Sequence, residues 1–345
     1  MKNPENKPEN NEGFVRASDL ELGYRSGTET QRVASGVSFS LFRKELTCLM
    51  GPNGVGKSTL LKAIMHQHPP LKGEVWLGNA PASHLSEKER AKRVAVVLTE
   101  KIPTGLLTVR DLVALGRIPH TGWWGQLSPV DQAKINEVMA LTSISHLAHK
   151  TVSALSDGQR QTALIARALA QDSPIMVLDE PTAHLDLSNR FEIMYLLRDL
   201  ARKASKAILV VTHDLEVALE TADKLWLMDA RQPLLTGSPE DLMISGGIQR
   251  LVPGQKWRVD AASGKIIRNT TPLPCQIEGP ELLVGWLKNA LRKNPELSLP
   301  DAIYLTENPF AIRATFSQNH RHFNSISEMI GYLQNQLKTG KFFLK

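Results

Sequence analysis

Cysteine is nearly absent from this chain, with Cys48 and Cys275 alone among 345 residues. Two thiols so far apart form neither a disulfide framework nor a C-x-x-C site, and the pattern fits a reducing compartment. Cys48 lies within the apolar run Leu46 to Met50 and is expected to be a small core residue. Long hydrophobic runs are missing as well. No apolar stretch approaches the ~20 residues that cross a bilayer, so the chain is expected to be soluble, and work at a membrane calls for a separate membrane partner. The first twelve residues have no apolar core, so no signal peptide is expected there. Residues 1–13 read as a disordered tail. Charge is not segregated: 41 basic and 35 acidic residues leave a net +6, with no long run of either sign. Such scattered cations read as solvated faces that suit an anionic membrane surface, and no nucleic-acid partner is expected. There is no internal repeat and no heptad run.

Hydrophobic and charged fractions of 42% and 22% are those of an ordinary globular protein, and the length allows two domains. Gly51, Pro52, Asn53, Gly54, Val55, Gly56, Lys57, Ser58 and Thr59 fit the pattern G-x-x-x-x-G-K-[ST]. The strand-like run Leu46 to Met50 precedes it and the helix-like Leu60 to Met65 follows. In that setting, glycines let successive backbone N–H groups turn toward one anion, and the helix N-terminus adds partial positive charge. Lys57 is placed to reach terminal phosphates of a bound nucleotide and the Ser58 hydroxyl to bind Mg²⁺. A purely structural turn needs neither the lysine nor the hydroxyl.

Strand and helix signals alternate from Phe14 to about Met243. Short runs rich in branched residues (74–77, 94–98, 175–178, 207–211, 224–228) read as strands buried on both faces. They imply an α/β fold with crossover helices. Between Thr108 and Ala170 only helical patterns occur, at 109–115, 129–141 and 160–170. A boundary is expected near 247/248. Beyond it, residues 248–345 read as a small α+β domain: a hairpin over 257–267 turning at Ser263-Gly264, a helix over 281–291, strands at 302–306 and 311–316, and a last helix opened by a Ser325/Glu328 capping box. His320 and His322 flank Arg321 with no carboxylate or thiol nearby, so no metal site is assigned there.

The run Ile175 to Leu178 ends in Asp179 and Glu180. At a strand end facing the phosphate loop, Asp179 is placed to hold Mg²⁺ and Glu180 to polarise an attacking water. His213 ends the next apolar strand and reads as a γ-phosphate contact. Leu155-Ser-Asp-Gly-Gln-Arg-Gln161 stands just before a helix, with Ser156 as its N-cap. With this element the chain resembles the ATPase subunits of ATP-binding cassette (ABC) transporters, whose signature is L-S-G-G-Q. The family's motifs occur in family order: phosphate loop, signature at Leu155 to Gln159, Asp179-Glu180, the turn Ala183 to Asp186, and His213. Tyr24 matches the family's adenine-stacking aromatic.

The resemblance covers about residues 14–243 and implies a P-loop NTPase cassette over 14–247, with a helical subdomain at about 105–170. It implies ATP hydrolysis with Mg²⁺, catalysed by Glu180, His213 and Glu100, the metal being held by Ser58, Asp179 and Glu100. Two cassettes pair head to tail in this family, so Ser156, Gly158 and Gln159 would meet the γ-phosphate bound by the partner, with Asp186 at the same interface. Gly116 to Gly122 resembles the Gly-Arg-x-Pro-His-x-Gly stretch of importers of iron(III)-siderophores, haem and vitamin B12. In them this region, with Trp123 and Trp124 here, lies against the membrane subunit. The implied assembly is an ATPase homodimer on a transmembrane permease dimer, served indirectly by a periplasmic or lipoprotein substrate-binding protein. The implied location is cytoplasmic, peripheral on the inner (plasma) membrane.

Three positions depart from the family pattern. Glu100 replaces the usual glutamine, Asp157 replaces the first signature glycine, and Lys44-Glu45 occupies the place of a glycine. Asp157 is expected to offer only its backbone. The alternatives are a soluble cassette ATPase acting on ribosomes or DNA, an ATP-gated regulatory module without useful turnover, and an importer of another substrate class. Against the first, there is one cassette only, and just 96 residues separate Thr59 from Ser156, without a coiled coil.

Overall fold

The computed structural model describes residues 14–26, 29–98, 106–122, 124–229, 232–269, 273–317 and 319–339. Glu100, Lys101, Trp123 and the 1–13 tail lie outside the described residues. The chain divides into two compact units that meet at Ile267/Arg268.

The first unit runs, in chain order, through β1 (Val15–Ser26), β2 (Glu29–Leu41), β3 (Leu46–Met50), α1 (Lys57–Ile64), β4 (Val75–Leu77), β5 (Ala80–Pro81), α2 (Glu87–Arg93) and β6 (Val94–Val97). Next come α3 (Val109–Ala114), α4 (Pro129–Leu141), α5 (Asp157–Ala170), β7 (Ile175–Asp179), α6 (Leu187–Lys203), β8 (Ala207–Val211), α7 (Leu215–Thr221), β9 (Lys224–Asp229), β10 (Gln232–Gly237) and α8 (Pro239–Ile244). A hairpin of β11 (Trp257–Val259) and β12 (Ile266–Arg268) follows.

The central sheet has the order β10-β9-β3-β8-β7-β6. The strands β9, β3, β8, β7 and β6 are mutually parallel, and β10 closes the edge antiparallel. Every residue of β3 and β8 is buried, because successive side chains point to opposite faces and both faces are covered. Leu46, Cys48 and Met50 join the core shared with the helices, while Leu49 joins the core beneath the antiparallel sheet β2-β1-β4-β5. Cys48 is wholly buried, as expected, and burial drives its thiol far above the ordinary range.

Between residues 106 and 170 three α-helices, α3, α4 and α5, follow one another, and each opens on one device. Thr108 with Asp111, Ser128 with Asp131, and Ser156 with Gln159 are reciprocal capping boxes. The last of these starts α5 at Asp157, three residues before the expected Arg160. Gly116 to Gly122 acts here as a clamp. A Cβ on Gly116 would lie 2.1 Å from the Arg167 carbonyl oxygen, so only glycine lets this turn reach α5. Arg117 donates to Asp131 Oδ1 at 2.8 Å and to the Ala170 carbonyl at 2.7 Å, both side chains being buried. His120 Nε2 meets the Gln171 carbonyl at 2.8 Å.

The expected boundary at 247/248 falls short. Ile248 and Val259 belong to the large core of the first unit. The Gln249 amide holds Val259 through both its N–H (2.9 Å) and its carbonyl (2.7 Å). The second unit contains β13 (Gln276–Glu278), α9 (Glu281–Arg292), β14 (Ala302–Thr306), β15 (Ala311–Phe316), β16 (Asn319–Phe323) and α10 (Ile326–Thr339). Its sheet order is β13-β14-β15-β16, parallel at the first pair and antiparallel thereafter. Leu287, Leu291, Ile303, Ile312, Met329 and Leu333 build its separate core. At α10 the Glu328 N–H bonds Ser325 Oγ, but the Glu328 carboxylate accepts from Asn324 N rather than from Ser325 N. His320 and His322 are exposed on β16, and no cluster of three metal-ligating residues occurs among the described residues.

Candidate active site

Strand register brings the site together. Leu49 of β3 and Asp179 of β7 both pair with Val211 of β8. The three strands therefore end at one level, and the segments leaving them (Gly51 onward, Glu180 onward, Thr212-His213) emerge on the same edge of the sheet. This carboxyl edge is where open α/β sheets bind ligands.

The phosphate loop is shaped by its glycines. Gly56 caps α1 with φ 109°, and a Cβ there would meet Val33 Cγ1 at 2.7 Å; one on Gly51 would meet the Met228 carbonyl oxygen at 2.4 Å. Asn53, Gly54 and Ser58 are exposed, whereas the Val55 side chain is buried in the core and leaves only its backbone for a ligand. Lys57 Nζ donates to the carbonyls of Gly51 (2.7 Å) and Pro52 (2.9 Å). Burial lowers its pKa, and the charges of Glu180 and Asp179 push it back up. The lysine is thus a half-buried cation whose desolvation is offset in part by the charges of Glu180 and Asp179.

Asp179 closes β7. Burial raises its pKa first, then the neighbouring Glu180, and Lys57 opposes both. Glu180 follows with φ 50°, a left-handed conformation uncommon for a residue with a side chain. Its Oε2 lies 2.8 Å from His213 Nδ1. An ionised carboxylate can only accept, so Nδ1 donates. Ser58 and Asp179 supply the hard oxygen donors that Mg²⁺ prefers, and the stress between adjacent half-buried carboxylates is of the kind a cation relieves. These residues therefore fit the metal, which would neutralise triphosphate charge there.

Tyr24 is on β1, with its hydroxyl 2.9 Å from Thr59 Oγ1 and its ring 5.0 Å from that of His68. It borders the phosphate loop, and Thr59 is itself buried and engaged by this contact. The signature turn lies elsewhere. Ser156 and Gln159 satisfy each other in the capping box, with the Gln159 N–H donating to Ser156 Oγ at 3.3 Å. A Cβ on Gly158 would sit 3.1 Å from Asn189 Oδ1 on α6. Asn189 in turn donates twice to Asp186, the N-cap of α6. No hydrogen bond or ion pair among the described residues joins Ser156, Gly158 or Gln159 to the phosphate loop. Asp157 is turned into an ion pair with Arg160 (3.0 Å), so its carboxylate already has a cation partner. Glu100 lies outside the described residues.

Sequence reading missed Val33 and Met228, which back the glycines, and Asn189, Arg190 and Asp214, which join the loops around the site. Only Asp214 carried a signal, as an N-cap residue before an apolar helix.

The sequence pattern of the ABC transporter family matches residues 34–183. An ABC transporter ATP-binding protein of Methanocaldococcus jannaschii is 40% identical over 230 residues, covering 67% of this chain and 78% of that protein. The ferric enterobactin transport ATP-binding protein of Escherichia coli is 35% identical over 237 residues, 69% of this chain and 86% of that protein. Among solved structures, the dimeric post-hydrolysis state of an ATP-binding cassette bound to ADP and Pi matches with a TM-score of 0.55 at 29% identity, covering 65% of this chain and 98% of the other.

Proposed function

Since the chain belongs to the ATP-binding proteins of ABC transporters and is an ATPase subunit, we propose that it powers import of an iron complex, such as a siderophore or haem, or of cobalamin. The observation that supports this most is the meeting of phosphate loop, Asp179-Glu180 and His213 at one sheet edge, with the signature turn held apart on α5. A signature that does not complete its own site suits a head-to-tail homodimer, in which Ser156, Gly158 and Gln159 of each copy serve the other's ATP. Gly116 to Gly122 and the named activity of the enterobactin relative support the cargo class.

In this reading the triphosphate displaces the Gly51 and Pro52 carbonyls from Lys57, which then makes charge-assisted bonds to phosphate oxygens. Tyr24 stacks on the adenine, and Gly51 to Thr59 wrap the phosphates. Ser58, Asp179 and Glu100 would hold Mg²⁺, whose role is to offset phosphate charge. Glu180 accepts the proton of a water that attacks the γ-phosphorus, and ADP leaves with the broken bond's electron pair. His213 holds the Glu180 carboxylate through Nδ1 and faces the γ-phosphate. Asp186 fixes the first turn of α6 at the dimer face. Leu106 (91% exposed) and Trp124 (87% exposed) offer an apolar dock for a transmembrane permease dimer, fed by a substrate-binding protein. No described helix is long and apolar enough to cross a membrane; the likeness to a transport ATP-binding protein supports a peripheral place on the cytoplasmic face of the inner membrane.

The test is Glu180→Gln in the full chain. It should bind Mg-ATP, accumulate as a nucleotide-dependent dimer in sedimentation, and hydrolyse on the order of 10²–10⁴ times more slowly. Near-normal turnover would overturn the assignment of the base. Co-purification with a polytopic permease tests the transport role.

A further inference from the structure

Glu180 and His213 face each other across two strand ends, yet His213 is itself thinly held. Its side chain is 72% exposed, and its hydrogen bond is to Glu180 Oε2. Where its ring sits therefore depends on the backbone on either side. On one side Thr212 is fixed, buried, with its N–H on the Leu49 carbonyl at 3.2 Å. On the other side stands Asp214. Its N–H donates to Thr212 Oγ1 (3.1 Å), and its Oδ1 caps α7 by accepting from Val217 N (3.3 Å). Its remaining oxygen, Oδ2, accepts from Arg190 Nη1 at 3.0 Å.

Arg190 reaches in a second direction as well. Its Nε donates to the Leu185 carbonyl at 2.9 Å, in the turn just before Asp186. One guanidinium thus ties the Ala183–Asp186 turn to the residue next to His213. The planar fork of arginine fits this double task, and a lysine point charge does not. The turn it grips is conformationally demanding, since His184 has φ 67°, and Glu180, three residues before the turn, has φ 50°. The downstream end of the segment that carries the base is therefore referenced, through Arg190, to the segment that carries the histidine, while its upstream end is held by the Glu180 N–H on the Val211 carbonyl at 3.0 Å.

We propose that Arg190 is a positioning residue for hydrolysis, keeping the His213 loop and the Glu180–Asp186 segment in one register. It acts through Asp214 and Leu185 and is not assigned contact with ATP. The inference rests on the reading that Glu180 and His213 act on the γ-phosphate. An ion pair with Arg190 38% exposed adds little to stability. Its loss should then appear in the rate, because small misplacements of reacting groups are costly.

The experiment compares Arg190→Met, Arg190→Lys, His213→Ala and the Arg190→Met/His213→Ala double variant in the full chain with Mg-ATP. Arg190→Met should lower kcat about tenfold, leave KM within about twofold and leave the unfolding temperature nearly unchanged. Arg190→Lys should recover no more than part of the rate. The double variant should be no slower than His213→Ala alone, as expected for residues acting in series. Wild-type kcat in Arg190→Met, or fully additive losses in the double variant, would overturn the proposal. Should Arg190→Met not fold, the Arg190→Lys rate and its cycle with His213→Ala decide the same question. If Glu180→Gln and His213→Ala themselves keep full turnover, the underlying reading fails instead, so the two failures are distinguishable.

Discussion

Asp179 shows at the scale of one residue how the site stores unfavourable electrostatics. A carboxyl whose pKa is raised in the fold binds its proton more tightly folded than unfolded. It favours the folded state at low pH and penalises it as pH rises through the raised value. The causes are burial, then the Glu180 charge, with Lys57 opposing. Asp179→Asn removes that penalty. In metal-free protein at pH 7, the variant should unfold at a higher temperature than the wild type, on the order of 2 °C, while losing hydrolysis. The gain should vanish when the scan is repeated at acid pH. A lower unfolding temperature at pH 7 would show that Asp179 contributes more by its contacts than it costs by its charge. Asp157 illustrates the opposite economy, since its exposed carboxylate pairs with Arg160 and need not face a phosphate.

Among the elements, the helical subdomain depends most on one buried polar cluster. Asp131 accepts from Ser128 Oγ, Ser128 N and Arg117, so it completes the cap of α4 while fixing the turn that carries Gly116. Its pKa is lowered from 3.8 to about 2, chiefly by the Ser128 hydroxyl, then by Arg117 and the Ser128 N–H. A depressed carboxyl contributes stability above its unfolded value and loses it as pH falls through the folded one. Asp131→Asn strands the Arg117 charge in a buried site, and at pH 7 it should cost about 3 kcal/mol in urea unfolding. The gap to wild type should narrow between pH 4 and pH 2. A gap independent of pH over that range would mean that the carboxylate charge is not what matters. The Gly116–Gly122 stretch, read as a mark of an importer branch, is thereby also a structural clamp between α4 and α5.

For the molecule as a whole, the division into units has a direct consequence. Ile248 and Val259 are each 1% exposed in the core of the first unit. A chain ending at Ile267 should unfold as cooperatively as the intact first unit. One ending at Gly247 removes both core side chains and should lose on the order of 3 kcal/mol or more. Calorimetry of the two truncations checks this, and equal stability would return the boundary to 247/248. The second unit has its own core and sheet, so its unfolding is expected as a separate transition in the intact chain.

Much of this protein is written locally in the sequence. The phosphate loop, the signature and the Asp179-Glu180 pair are legible because their chemistry needs fixed residue types at fixed spacing. The buried strands are legible because a strand covered on both faces must be apolar at every position. What lies across the chain was not legible. His213 meets Glu180 only because β7 and β8 are neighbours in a register that ends Asp179 opposite Val211. Arg190 looks like any polar helix position until α6 is docked beside α7 and its fork finds Leu185 and Asp214. Gly116 reads as a turn residue until the Arg167 backbone is brought against it. A hairpin over 257–267 is legible in the sequence, but which core claims Val259 is not. Local patterns fix what each segment is, since side-chain period and backbone preference act within a few residues. Which segments become neighbours is settled by burying their faces together, and that is decided only when the whole chain packs.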